Sequence, residues 1–249
     1  MRRFVPAALV FAIVLAGMPR PAAAQARAWP ERIWISVSGG VQPAANSFED
    51  AFELSLNAET GKVSVAYPVK SGATVAGAGG VRVWKRLTVG VGVTRYSRQE
   101  EAAIDALLPH PFFDNHFRAV HGTAPVTRTE TGTHLLIGWM LPLADRVRVL
   151  ITAGPSALNV RQTFVTGVEF SETFPYDTAA FTRGTTANAT ATAAGFNAGA
   201  DVFWMFSRHA GAGGLLQVAR ARVNLRNGSR TIPLDAGGAQ IGAGLRVVF

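Results

Sequence analysis

From residue 33 onward, apolar and polar side chains take turns along the chain. Ile33, Ile35, Val37, Gly39 and Val41 interleave with Trp34, Ser36, Ser38 and Gly40. A period of two puts successive side chains on opposite faces and predicts a β-strand. The same rhythm recurs at 74–84, 87–98, 128–141, 147–162, 186–206, 211–224 and 237–249, which makes eight strands. In the last, Ala239, Ile241, Ala243, Leu245, Val247 and Phe249 share one face, against Gly238, Gln240, Gly242, Gly244, Arg246 and Val248.

Each strand is long enough to cross a bilayer when tilted, since about 9–11 residues suffice. The connections alternate in length. Those at 85–86, 142–146 and 207–210 are short, whereas 42–73, 99–127, 163–185 and 225–236 are long. Short periplasmic turns with long extracellular loops are the habit of outer-membrane barrels. Trp139, Trp204, Phe206 and Phe249 fall on apolar faces near the short-turn end, where an aromatic girdle meets the membrane interface. A soluble β-sandwich has no need of aromatics at one level of several outward faces. The expected fold is therefore all-β, an eight-stranded antiparallel up-and-down transmembrane β-barrel acting as a monomer. The first long loop holds a further alternation, Phe52, Leu54, Leu56 and then Val63, Val65, Tyr67 around Glu59-Thr60-Gly61. It reads as a hairpin that stands above the membrane or makes a ten-stranded barrel, and its short, acid-containing arms favour the former.

The N-terminus reads differently. Arg2 and Arg3 precede an apolar run from Phe4 to Gly17, and Ala22-Ala23-Ala24 offers a small-residue cleavage site. Residues 1–24 are expected to be a secretory signal peptide and 25–249 the barrel domain. After it, the best apolar run is 135–144, ten residues with Pro142 inside, too short for a helical span. With no cysteine there are no disulfides and no thiolate metal site. The formal charge of +8 includes Arg2, Arg3 and Arg20 of the leader, and the remaining basic residues are scattered. Export argues against a nucleic-acid partner, and scattered arginines are expected to be solvated or paired, with contact with acidic lipid headgroups as the second expectation.

If apolar faces meet lipid, the other faces line a lumen. Arg82, Glu130, His134, Arg148, Asn197, Asp201, Gln240 and Arg246 form this polar set, with Thr88 and Thr152. Eight strands leave room for little more than side chains, so a paired structural plug is favoured over an anion filter. Asp201 is expected to bridge the arginines, with Glu130 and His134 higher up. Those two also share a strand face at spacing four, the only hint of a lipid-modifying enzyme, and no serine adjoins them in sequence. His110, Asp114 and His116 could approach a divalent ion, but their spacing imposes no ligand geometry, and no metal or other cofactor is expected. Phe112, Phe113 and Phe117 in that loop are candidates for packing or contact with a partner. Arg95, Arg220 and Arg222 are candidates for lipopolysaccharide phosphates, provided the seventh strand keeps its register.

With its leader, eight alternating strands and the ending Gly-Gly-Ala-Gln-Ile-Gly-Ala-Gly-Leu-Arg-Val-Val-Phe, the chain resembles small outer-membrane barrels of the outer membrane protein A and opacity type. Gly195-Phe196-Asn197-Ala198-Gly199-Ala200-Asp201 is similar to a late strand of such barrels. The resemblance covers the barrel domain only and implies residence in the bacterial outer membrane, among its lipids and lipopolysaccharide. It further implies that Ile241, Leu245, Val247 and Phe249 form the signal read by the barrel-assembly machinery. Members differ in their loops, so the expected role is structural or surface interaction through those loops. A narrow channel for small solutes is the second expectation, and a lipid-modifying enzyme the third.

Overall fold

A computed structural model describes residues 32–43, 47–228 and 230–249. The expected leader lies outside them. Ten strands follow in order: β1 (Ile33–Gln42), β2 (Phe48–Leu56), β3 (Glu59–Tyr67), β4 (Gly72–Trp84), β5 (Leu87–Pro109), β6 (Phe117–Pro142), β7 (Val147–Glu172), β8 (Ala179–Met205), β9 (Ala210–Asn227) and β10 (Arg230–Val248). Eight of them pair in an antiparallel ring, β1-β4-β5-β6-β7-β8-β9-β10, and β1 closes it on β10 from Trp34↔Val248 to Val41↔Ile241. Closure satisfies the backbone hydrogen bonds that an open sheet edge would leave in lipid.

The hairpin β2–β3 stays out of this ring. It joins only the far end of β5, where Lys62–Ala66 faces Ala103–Leu107. The barrel is thus eight-stranded, and the hairpin is part of an extension above it. Glu49 and Glu53 on the outer face of β2 explain the choice, because neither carboxylate would tolerate lipid. Arg230 bonds Asp50 at 2.6 Å and the Ala51 carbonyl at 2.9 Å, and it stacks over Phe52, so β2 is tied to the upper part of β10.

Most strands outrun the lengths expected from sequence. The stretches 99–127, 163–185 and 225–236, read above as long loops, are themselves hairpins, and only short turns remain at their tips. The alternation in fact continues, but its polarity inverts. On β5 the outward residues run Val91, Val93, Arg95, Ser97, and the inward ones run Thr94, Tyr96, Ala102, Ile104, Ala106, Leu108. Beyond the bilayer the outside meets water and the inside becomes a core. Twenty-two buried apolar residues from seven strands fill that core, among them Tyr67, Ile104, Phe164, Val223 and Leu234. Face-to-face packing of the β7–β8 hairpin on β5–β6 depends on Gly122, where a Cβ would lie 2.3 Å from the Phe181 ring.

Candidate functional site: a polar lumen beneath a fastened outer tip

Every strand of the ring presents bare apolar side chains outward. Val37, Val75, Val91, Ile137, Ile151, Val202, Leu216 and Leu245, one per strand, are 41–62% exposed. A continuous belt of this kind is unstable in water and is the lipid face of a membrane barrel. At its short-turn end stand Trp139, Trp204, Phe206 and Phe249, all outward and about half exposed. Trp84 joins them. Simple alternation puts it on the lumen face, but a bulge between Arg82 and Trp84 turns it out, to 62% exposure. The protein is an outer-membrane-type β-barrel.

Inside the belt the lumen is polar. Glu130, His134, Arg148, Asn197, Gln240 and Arg246 are buried, and Arg82 and Asp201 are partly covered. Six of them fall into three groups. Nearest the short turns, Arg246 bonds Asp201 at 2.7 Å and lies between the rings of Trp34 (4.7 Å) and Phe203 (4.1 Å). Gly80 permits this, since a Cβ there would come within 2.9 Å of Trp34. In the middle, Asn197 Nδ2 donates to Ser156 Oγ at 2.9 Å and to the carbonyls of Gly154 and Pro155. Ser156 Oγ meets His134 Nδ1 at 2.8 Å, and His134 Nε2 meets Thr94 Oγ1 at 2.9 Å. A neutral imidazole satisfies the chain, with Ser156 donating to Nδ1 and Nε2–H donating to Thr94. Highest, Glu130 bonds Arg128 at 2.6 Å and the Gly237 N–H at 2.8 Å. Gln240 bonds Gln42 at 3.2 Å.

Glu130 and His134 share a strand face, yet they take different partners. Ser156 arrives beside His134 from β7, twenty-two residues away in sequence, and only strand pairing reveals it. The resulting serine–histidine contact is buried among lumen side chains, with amide and hydroxyl neighbours and, among the described residues, no carboxylate bonded to the ring. The geometry is that of a structural polar network, in which Asn197 Oδ1 is left without a partner among the described residues.

The outer end carries a second arrangement, which sequence reading located only in part. Arg118 on β6 is 4% exposed. It binds Glu172 on β7, the Tyr176 carbonyl at 2.9 Å and the Pro109 carbonyl at 2.9 Å. One guanidinium thus fastens the β5–β6 tip to the β7–β8 tip. His110 is buried; its Nδ1 accepts the Phe112 N–H at 3.1 Å, and its Nε2 lies 3.7 Å from the Asp177 carboxylate. Among the described residues no three histidine or acidic side chains gather as a metal site. Phe113 packs against His110 at a tilt, ring centroids 4.8 Å apart, and Phe112 reaches Tyr176 across the junction at 5.6 Å. Even so, Phe112, Phe113 and Phe174 are 69%, 61% and 81% exposed.

On the sides of the extension Arg95, Arg161, Arg220 and Arg222 point outward just above the belt. The seventh barrel strand, β9, holds its register against β10 through Arg220↔Gly237 and Arg222↔Asp235.

No protein-family model and no curated protein matches the chain. Its fold is similar to solved outer-membrane structures. The outer membrane protein OprG of Pseudomonas aeruginosa aligns at TM-score 0.48 and 9% identity, over 88% of this chain and 96% of OprG. Neisserial surface protein A aligns at TM-score 0.44 and 11% identity, over 87% and 97%. The outer membrane protease OmpT of Escherichia coli aligns at TM-score 0.44 and 10% identity, over 88% and 97%.

Proposed function

We propose that this barrel is a non-enzymatic surface-interaction protein that meets its partner through the tips of its outer hairpins. The observation that carries the reading is the exposed aromatic group of Phe112, Phe113 and Phe174 on two hairpins held together by Arg118. Exposed aromatics on a rigid frame lose little entropy on binding and gain much from burial. The lumen supports the same reading. Arg246 is paired with Asp201 and Arg128 with Glu130, and the core above is packed with apolar side chains rather than lined for passage.

Two further contacts belong to this reading. Arg95, Arg161, Arg220 and Arg222 meet lipopolysaccharide phosphates at the level where the belt ends. Ile241, Leu245 and Val247, outward on β10, and Phe249 just after it serve the barrel-assembly machinery before they serve lipid. The closed ring leaves no barrel edge to pair with another copy, and the protein works as a monomer.

The test is adherence to a hydrophobic surface by cells that display the protein. Serine at 112, 113 and 174 is expected to reduce adherence to that of cells without the protein, at equal surface level. Unchanged adherence, together with stepwise conductance of the purified barrel in planar bilayers, would replace this reading with the channel.

A further inference from the structure

The rim at the short-turn end holds a charge pattern that neither the tip nor the lumen explains. Arg32, Lys85, Arg86, Arg146 and Arg208 are all exposed there, against one acid in the turns, Asp145. None of the five is ion-paired with a carboxylate among the described residues. The outer end differs. There acids are about as numerous as arginines and lysines, and several of them pair, as in Lys70–Glu100, Arg183–Glu169 and Arg230–Asp50. The protein's basic surplus therefore collects at the rim.

The rim is also fixed in place. Arg32 N–H donates to the Phe249 carbonyl, and Arg82 N–H donates to the Arg32 carbonyl, both at 2.7 Å. Met140 N–H donates to the Arg86 carbonyl at 2.9 Å, and Met205 N–H to the Arg146 carbonyl at 2.7 Å. Val248 N–H bonds the His209 carbonyl next to Arg208 at 2.8 Å. Each turn is thus tied to a neighbouring strand, and the cations stand in one collar immediately below the aromatic girdle. Lys85 Nζ lies 4.9 Å from the Trp84 ring centroid, which joins collar to girdle directly.

We propose that this collar binds the phosphodiester anions of acidic phospholipids in the leaflet that meets the short-turn end. Tryptophan marks the headgroup level of a bilayer, and arginine and lysine beside it extend their heads toward phosphate. Each such residue near an anionic surface raises the affinity about fivefold. A soluble anion or an acidic wall polymer would also match the charge. The girdle favours lipid, because the same rim that presents the cations is already seated in headgroups.

Three tryptophans at this rim, Trp84, Trp139 and Trp204, provide the readout. The folded protein in phosphatidylcholine vesicles is titrated with brominated phosphatidylglycerol or brominated phosphatidylcholine, and tryptophan quenching is followed. The anionic lipid is expected to quench at a several-fold lower mole fraction, less so in 1 M salt. R86Q/R146Q/R208Q is expected to lose that preference, and R86K/R146K/R208K to keep it, with folding checked by gel mobility before and after boiling. Equal quenching by the two lipids in the unaltered protein overturns the proposal, as does a preference that survives the glutamine changes. If isolated peptidoglycan sheets bind the protein through these arginines while lipid preference is absent, the collar belongs to the wall. Should the glutamine variant fail to fold, the lipid comparison and its salt dependence decide the matter on the unaltered protein.

Discussion

Replacing Arg118 with alanine should loosen the outer tip without opening the barrel. The guanidinium makes bonds to the Glu172 carboxylate and to the Tyr176 and Pro109 carbonyls, and the side chain is 2% exposed. Hydrogen bonds to a charged group contribute about 1.5–3 kcal/mol each. The tip borders water, however, so the freed carbonyls and Glu172, itself 26% exposed, regain hydration. A net loss of about 3 kcal/mol in the local opening free energy follows, nearer one strong bond than three. At 1.4 kcal/mol per decade, amide hydrogen exchange in 109–118 and 172–178 should quicken by about a hundredfold. Exchange in the belt segments of β1, β4 and β10 should not change. Lysine at 118 keeps the charge but cannot present a planar fork to three acceptors, and its exchange rates should fall between the two. An acceleration of less than about threefold in the alanine variant would refute the reasoning. It would mean that the apolar core of the extension holds the tips without the arginine.

Three more expectations follow from the lumen and the extension. Methionine at 246 leaves Asp201 without its cation and should cost about 3–5 kcal/mol in urea unfolding from vesicles, with most of the loss recovered when Asp201→Asn is added. Burial pushes the Tyr67 phenol up to about 12, against the smaller opposing effect of the Val165 N–H bond. Its un-ionised form therefore favours the folded extension by about 2–3 kcal/mol below pH 10, and this is lost as pH rises through 12. Absorbance titration at alkaline pH should show a late-ionising tyrosine that is absent in Tyr67→Phe. Alanine at Gly122 forces the Phe181 ring aside and should destabilise the extension by about 1–3 kcal/mol, read as faster exchange in β7 and β8 beyond the belt.

The strands, their antiparallel order and the lipid-facing belt were legible from the residues alone, because each rests on local alternation and on the length of the turns. Val91 and Ile137, with the short turn at 85–86, are sufficient for that. The inward placement of Arg246 and Asn197 follows from the same parity. Where the strands end was not legible in the same way. Period two is identical in lipid and in water, and whether Ile104 and Leu108 face out or in depends on where the bilayer stops. Residues distant in sequence were equally out of reach. Ser156 meets His134, and Glu172 meets Arg118, because neighbouring strands align at a given register, which no single strand's pattern contains. Trp84 shows the limit at the smallest scale. One bulge, invisible in the alternation, moves it from lumen to girdle. Parity along a strand is a local property, whereas register, bulges and the change of solvent at the membrane surface are set by the closed ring and by the medium around it.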